Sequence, residues 1–363
     1  MRAPPAPRAA IVGIAGPTLT DEEILLFRRT PPLGVILFAR NIQDPPQLAA
    51  LTAKLRELLG PETPILVDQE GGRVARLRPP HWLAYPPAAA FERAPAAVVR
   101  ANASLIGLDC AASGIDVVCG PVLDLRLPDA HGVIGDRAFS ADPAEVVRLG
   151  RAFAAGLRAA GCTPVLKHIP GHGRALADSH HELPCVGVDR GTLADDLLPF
   201  AALAESPGVW AMTAHILYPA IDAERCATLS PRVIQQVIRG EIGFHGVLIS
   251  DDLAMGALSG APAELARAAL AAGCDIALHC TGRLAETAAV LSACPTVSDA
   301  AAERLAASRE AVAEASRMRL DPVVLRSLRD GWLAAPVPIA AALAAGAGRD
   351  THADPPTHAD PTA

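Results

Sequence analysis

The chain has 363 residues, of which 51% are apolar and 20% are charged. This composition excludes a chain that is disordered throughout, because it supplies apolar surface for a large core and carries little charge. The net charge of −7 and the lack of a dense run of Lys and Arg argue against a nucleic-acid-binding surface, so no nucleic-acid partner is expected.

The first residues do not resemble a targeting or membrane segment. They carry prolines before a short apolar run, and no later apolar run reaches spanning length without a charge or a breaker. The eight cysteines never form a C-x-x-C motif and lie mostly inside apolar runs. They therefore predict reduced core residues. Together with the lack of a targeting segment and of a membrane span, they indicate a cytoplasmic location.

Short apolar runs alternate strictly with longer segments of helical pattern along the chain. Eight such units with continuous apolar strands predict an α/β fold, a (β/α)8 TIM-type barrel in a single domain. A doubly wound open sheet is the alternative, but residues 14–17 after the first strand lack its glycine-rich phosphate turn. The predicted strands are residues 10–14, 34–38, 64–67, 115–119, 163–166, 209–213, 246–249 and 276–278.

Helix signals support this order. Residues 44–59 open with Asp-Pro and end before Gly60, and residues 142–160 open with Asp-Pro and end before Gly161. Two further helices, at residues 298–318 and 322–333, are expected outside the barrel. The predicted domain is therefore 1–335, and residues 336–363, rich in Ala, Gly and Pro, are expected to form a disordered tail.

Ionisable residues gather where the predicted strands end, which is where the chemistry of a barrel is located. Lys167 and His168 follow the fifth strand, and Asp251 follows the seventh. Capping of the next helix would also explain an Asp there, and His172, His215 and His279 would individually fit satisfied polar residues at the rim. A buried strand directly before Asp251 instead predicts a carboxylate that points into the barrel mouth.

A metal-dependent hydrolase also gathers His and Asp at a barrel mouth. Its usual His-x-His on the first strand is absent, because that strand ends in Ala15-Gly16. A metal site would have to be built from later strands alone. We therefore expect no metal and no cofactor.

Six motifs together resemble glycoside hydrolase family 3, and most closely its single-domain bacterial β-N-acetylglucosaminidase branch. The resemblance runs from about residue 10 to about residue 290, in order and with similar spacing. It implies a retaining exo-glycosidase that removes terminal non-reducing β-linked N-acetylglucosamine from cell-wall muropeptides during peptidoglycan recycling. The motifs are GVILFARN (34–41), VDQEGGRV (67–74), VIGDRAF (133–139), KHIPGHG (167–173), DSH (178–180) and SDDLAM (250–255).

The resemblance also implies the role of individual residues. Asp251 would be the nucleophile, Asp252 a cap or supporting group, and His180 the acid/base, with Asp178 orienting its ring and stabilising its charge. Position 279 departs from the family's pattern in the eighth strand, because His stands where relatives have an apolar residue. The sugar contacts implied by the resemblance are Asp68, Arg76, Arg137, Lys167 and His168.

A barrel that binds sugar without catalysing a reaction is the rival hypothesis.

Overall fold

The computed structural model describes residues 5–317 and 319–334. Eight parallel strands close into a barrel in which each strand pairs with its neighbours in sequence and the last pairs with the first. The predicted (β/α)8 barrel is therefore confirmed. The strands are β1 Arg8–Gly13, β2 Pro32–Leu37, β3 Ile65–Val67, β4 Val117–Val118, β5 Thr163–Ile169, β6 Trp210–Thr213, β7 Val247–Asp252 and β8 Ile276–His279.

A helix follows every strand and packs outside the barrel. The two helices predicted from Asp-Pro signals begin after Asp44 and Asp142, whose side chains accept hydrogen bonds from Gln47 N and Ala144 N at 2.8 and 2.9 Å. The helices are α1 Asp21–Arg29, α2 Pro45–Leu59, α3 Ala96–Ala112, α4 Pro143–Ala159, α5 Arg190–Leu203, the π-helical Val233–Glu241 between β6 and β7, α6 Pro262–Ala272, α7 Leu284–Ala293, α8 Asp299–Ala315 and α9 Pro322–Ala334.

Two apolar cores follow from the alternation of side chains along the strands. Ile11, Val165 and Ile249 belong to a cluster inside the barrel, whereas Val12, Leu166 and Leu248 pack with the helices outside it. Successive residues of a strand face opposite sides of the sheet, so continuous apolar strands are required to fill both layers. The closed inner core leaves only the loops at the C-terminal ends of the strands free to build a site.

Several predicted boundaries shift for local reasons. β4 is limited to Val117–Val118, although the backbone on either side still bonds to β3, with the N–H groups of Asp116 and Cys119 donating to the carbonyls of Ile65 and Val67. β5 and β7 are longer than predicted, so Lys167, His168, Asp251 and Asp252 lie within strands rather than after them. The predicted tail, residues 336–363, lies outside the described residues.

The structure also tests two further predictions, that the cysteines are reduced core residues and that no segment spans a membrane. Seven cysteines are buried and none is in a disulfide, but Cys185 is exposed, so the prediction of core cysteines is wrong for that residue. Cys185 lies in the loop between β5 and α5 and faces solvent there. Of the helices in the described part of the chain, none has the length and apolar surface needed to cross a bilayer.

Candidate active site

A cavity of about 910 Å³ opens at the C-terminal ends of the barrel strands. Its walls come from the ends of β2, β3, β5, β7 and β8 and from the loops after β3, β4 and β5. All eight residues predicted for catalysis or sugar contact line it, although they are spread over more than 180 positions of sequence. They are Asp68, Arg76, Arg137, Lys167, His168, Asp178, His180 and Asp251.

A buried cluster of alternating charges forms one wall of the cavity. Lys167 Nζ lies 2.8 Å from Oδ1 of Asp68 and 2.6 Å from Oε1 of Glu70. Arg137 donates two hydrogen bonds to the carboxylate of Glu70, from Nε and Nη2, each at 2.8 Å. The two-pronged geometry fixes the orientation of the guanidinium as well as its charge. Arg76 Nη2 approaches Asp68 Oδ2 at 3.5 Å.

The protonation states of this cluster follow from its pairing. Burial alone would raise the pKa of Glu70, but the charges of Arg137 and Lys167 lower it to about 2. Burial likewise opposes ionisation of Asp68, and Lys167 and Arg76 hold its pKa below the usual value. The pKa of Lys167 is raised, because these carboxylates outweigh burial. Glu70, Asp68 and Lys167 therefore stay charged at neutral pH.

Asp124 holds the segment that begins with His168. It is fully buried, its Oδ2 lies 2.7 Å from Nδ1 of His168, and its Oδ1 accepts the backbone N–H of His172 at 2.6 Å. Burial would raise the pKa of Asp124, but the contacts with His168 and His172 keep it low. Because Nδ1 of His168 is engaged, its Nε2 is the nitrogen available to a ligand.

Asp251 presents a carboxylate without an ionic partner. Its Oδ1 accepts the N–H of Asp252 at 2.8 Å, and it forms no salt bridge with any residue in the described ranges. Burial would raise its pKa, but the nearby His168 and His215 and that N–H hold the pKa below the usual value. An ionised, unpaired carboxylate at a strand end suits attack on an electrophilic carbon.

Asp252 connects the ends of two strands. Its Oδ1 accepts backbone N–H groups of Ala254 and Cys280, each at 3.0 Å, which ties the end of β7 to the end of β8. His215 is satisfied by its neighbours, with Nε2 at 2.9 Å from the carbonyl oxygen of Asp252 and Nδ1 at 2.7 Å from Thr228. These contacts fix the backbone beside Asp251.

Asp178 and His180 lie on the loop after β5. The ring Nδ1 of His180 is 2.7 Å from Oδ1 of Asp178, and that oxygen also accepts the backbone N–H of His180 at 2.9 Å. Nε2 of His180 has no hydrogen-bond partner among the residues that the structure describes. Burial would raise the pKa of Asp178, but the bonds from His180 lower it. The carboxylate therefore remains available to stabilise a protonated ring.

The neighbouring residue, Ser179, connects this loop to its own first residues and to the segment that follows β7. Ser179 is buried, and its Oγ lies 3.2 Å from Nε2 of His172. On the other side the backbone N–H groups of Gly256 and Ala257 donate to the carbonyls of His180 and Ser179, at 3.1 and 3.0 Å. The contacts with Gly256 and Ala257 could not be predicted from the sequence, because these residues lie on a different loop from Ser179.

His279, the departure from the sequence motif, lies at the end of β8. It is buried, with Nε2 at 3.0 Å from Oγ1 of Thr281 and 3.3 Å from Glu286. Burial lowers its pKa despite the nearby acids. Across residues 5–317 and 319–334, His, Cys, Asp and Glu side chains form no group of three or more that could hold a metal ion.

The arrangement combines two chemical capacities in one cavity. Asp251 offers a carboxylate, and His180, backed by Asp178, offers a nitrogen that can give and take a proton. Cleavage of a glycosidic bond with retention needs both functions, a nucleophile and a group that serves as acid and then base.

Comparisons with known proteins show the family to which the chain belongs. Residues 30–315 match the family model described as glycosyl hydrolase family 3 N terminal domain. The chain is 44% identical over 281 residues to a beta-hexosaminidase of Alkalilimnicola ehrlichii, covering 74% of this chain and 80% of that protein. It is 41% identical over 290 residues to a beta-hexosaminidase of Thiobacillus denitrificans, covering 74% and 77%.

Solved structures give the same result at the level of the fold. NagZ from Neisseria gonorrhoeae, crystallised in complex with N-trifluoroacetyl-D-glucosamine, is similar with a TM-score of 0.80 and 32% identity. The likeness covers 91% of this chain and 99% of that one. Nearly the whole of the described barrel and its outer helices therefore has a counterpart in that structure.

Proposed function

Because the chain belongs to glycosyl hydrolase family 3 and is a glycoside hydrolase, we propose that it is a retaining exo-β-N-acetylglucosaminidase. The observation that carries the mechanism is that the unpaired carboxylate of Asp251 and the Asp178–His180 pair line the same cavity. The beta-hexosaminidase names of the relatives and the glucosamine derivative in the similar crystal structure support the sugar specificity.

In the first step the carboxylate of Asp251 attacks the anomeric carbon of the bound sugar. The bond from that carbon to the leaving oxygen breaks, and Nε2 of His180 donates the proton that this oxygen takes up. The products are a glycosyl ester on Asp251, a free alcohol and a neutral imidazole. Asp178 stabilises the charged ring before the transfer and keeps Nε2 directed away from itself.

In the second step water attacks the same carbon from the side that the alcohol has left. The neutral His180 accepts a proton from this water, the ester bond to Asp251 breaks, and its electron pair returns to the carboxylate. The sugar is released with its original anomeric configuration. His180 and Asp251 are then in their starting protonation states, so no metal or cofactor is needed.

The charged wall supports recognition of sugar hydroxyls. Asp68 offers an acceptor for a pair of hydroxyls, and Lys167, Arg137 and His168 offer donors. Arg76 lines the same cavity and adds a further cationic donor.

The proposed natural substrate is a muropeptide that carries a terminal non-reducing β-linked N-acetylglucosamine, as the resemblance in sequence implies. The cavity volume lies within the usual range for small-ligand sites, so the cavity has room for the terminal sugar. A cytoplasmic role in peptidoglycan recycling fits the eight free cysteines, since disulfides are rare in reducing compartments.

Hydrolysis of a chromogenic N-acetyl-β-glucosaminide by the purified protein tests the proposal. We expect turnover with release of the β-anomer of N-acetylglucosamine, read by NMR before the anomers equilibrate. A binding protein without catalysis would bind N-acetylglucosamine and release no chromophore. Release of the α-anomer would contradict retention, and the N-acetylglucosaminyl-anhydro-N-acetylmuramic acid disaccharide tests the muropeptide assignment.

A further inference from the structure

The loop that carries Asp178 and His180 is fastened directly to the segment that follows the nucleophile strand. Asp251 and Asp252 end β7, and four residues later the backbone N–H of Gly256 donates to the carbonyl of His180 at 3.1 Å. The next N–H, from Ala257, donates to the carbonyl of Ser179 at 3.0 Å. Two backbone hydrogen bonds therefore connect the segment that follows Asp251 to the segment that carries His180.

This contact leaves no room for a side chain at position 256. A Cβ on Gly256 would lie 2.6 Å from the carbonyl oxygen of His180 and 2.9 Å from that of His181, where ordinary contacts begin at 3.4 Å. The φ angle of Gly256 lies outside the left-handed region, so its backbone conformation is open to other residues. Space for the loop, and not backbone conformation, is what requires glycine at this position.

Burial does not by itself hold the acid/base group in place. The side chain of His180 is 44% exposed, and that of Asp178 is 22% exposed. The buried member of this segment is Ser179, which contacts His172 on one side and Ala257 on the other. Burial and the neighbouring His168 lower the pKa of His172 to about 4, so this contact is made by a neutral ring at neutral pH.

We propose that the backbone of Gly256 and Ala257 is a docking platform that holds the Asp178–His180 pair over the cavity, and that Gly256 is a positioning residue because it lacks a side chain. This inference rests on the proposed acid/base role of His180. A side chain at position 256 pushes the loop outward while leaving Asp251 on the barrel. Misplacement by about 1 Å is enough to cost about 100-fold in rate when the displaced group takes part in the chemistry.

The proposal predicts a specific kinetic signature for Gly256→Ala. With an activated aryl N-acetyl-β-glucosaminide the first step needs little acid assistance, so aryl release in the first turnover should stay within about threefold of wild type. The second step still needs a base, so the glycosyl-enzyme should accumulate and steady-state turnover should fall by about 10- to 100-fold. Azide attacks without giving up a proton and should restore turnover as glycosyl azide.

Gly187→Ala is the matched control. Gly187 is also in a loop without a left-handed φ, and a Cβ there meets nothing within 4 Å. It should leave both steps unchanged. His180→Ala is the reference for complete loss of the acid/base. Binding of N-acetylglucosamine and the thermal melting temperature report whether Gly256→Ala keeps its fold and its sugar site.

A second measurement does not depend on activity. Glu182 is exposed beside the docked segment, and its backbone N–H bonds to the carbonyl of Asp178. A Glu-specific protease should cleave after Glu182 several-fold faster in Gly256→Ala than in wild type or Gly187→Ala. This result would support undocking of the loop even if Gly256→Ala were less stable overall.

The outcomes separate this inference from the proposed function. If His180→Ala accumulates no glycosyl-enzyme, the acid/base assignment fails, and the catalytic part of the inference fails with it. If His180→Ala shows the signature but Gly256→Ala behaves like Gly187→Ala in both kinetics and proteolysis, the docking proposal is wrong and the mechanism stands. Equal slowing of both steps, without azide rescue, would also overturn it.

Discussion

Nδ1 of His180 lies 2.7 Å from Oδ1 of Asp178, and the backbone N–H of His180 donates to the same oxygen. The double contact fixes the ring relative to its own backbone. When Asp178 is ionised, Nδ1 must carry the proton in this bond, so Nε2 is the nitrogen that exchanges protons with a ligand. The pair therefore defines both the tautomer and the direction of proton transfer.

His180→Ala should affect substrates according to their leaving groups. With an activated aryl glycoside we expect rapid release of the aryl group in the first turnover and then a stall, because no base activates water. With an unactivated disaccharide the first step should fall by about 10²- to 10⁴-fold. Stopped-flow measurement of aryl release and mass spectrometry of the trapped enzyme check this. Equal loss on both substrates without an intermediate would move the role to another group on the loop.

Asp178→Asn should give a weaker form of the same pattern. The imidazole remains, but the neutral amide neither stabilises the protonated ring nor fixes its tautomer as the carboxylate does. We expect a drop in kcat of about 10- to 100-fold for poor leaving groups and a smaller drop for aryl glycosides. Steady-state kinetics over a leaving-group series is the measurement. A KM effect alone would indicate a role in binding.

Asp251→Ala should abolish turnover, with a loss of about 10⁴-fold or more, while the fold is retained. The side chain is at the cavity end of β7 and makes no ion pair in the described ranges, so its removal opens no core cavity. A slow fluorinated glycosyl donor should label Asp251 in the wild-type protein, as read by peptide mapping. A label on Asp252 would contradict the assignment.

Glu70→Gln should destabilise the protein by about 3 to 5 kcal/mol, because Lys167 and Arg137 lose the charge of a shared buried partner. The folded pKa of Glu70, about 2, is below the ordinary 4.5, so its ionisation adds stability above pH 4.5 that is lost as the pH falls towards 2. Urea unfolding across this window should show a flatter acid limb for the variant.

Glu57→Gln is the control for that measurement. Glu57 pairs with Lys54 at 2.9 Å, but its side chain is 71% exposed, so solvent screens the pair. We expect no measurable change in the free energy of unfolding. A loss of stability as large as that of Glu70→Gln would show that removal of any carboxylate destabilises the chain. It would contradict the explanation that burial makes the Glu70 ion pairs important.

Exhaustive chelation should leave activity unchanged, because Asp251 and His180 supply the nucleophile, acid and base without a Lewis acid. Initial rates before and after EDTA treatment and gel filtration are the measurement. Loss of activity that a divalent ion restores would favour the alternative of a metal-dependent hydrolase.

The barrel was predictable because its signals are local. Apolar runs, Asp-Pro helix starts and glycine stops each act within a few residues, so they set eight units in order. The errors in strand boundaries arise instead from contacts between residues that are distant in sequence. The fifth strand continues past Leu166 because β6 offers partners to Lys167 and Ile169 across an irregular register, which the sequence of one strand does not reveal.

The site was predictable only in part, for a related reason. A strand-end Asp or His can be recognised from its own strand, but its partner can lie on any loop. Arg137 meets Glu70 from 67 residues away, and Gly256 meets His180 across two loops. One signal was available, since Asp68 and Glu70 are two apart in an extended segment and therefore share a face.

The closed barrel gives the two halves of the active site different resistance to local unfolding. β7 is hydrogen-bonded to β6 and β8 on both sides, so the strand that carries Asp251 opens only when the barrel opens. The segment with His180 is held by a few bonds between loops, and its amides should exchange with deuterium far sooner. On mild warming or in low denaturant, such an enzyme would first lose its proton donor. It would then still form the glycosyl ester on Asp251 from activated sugars, but it would hydrolyse that ester only slowly.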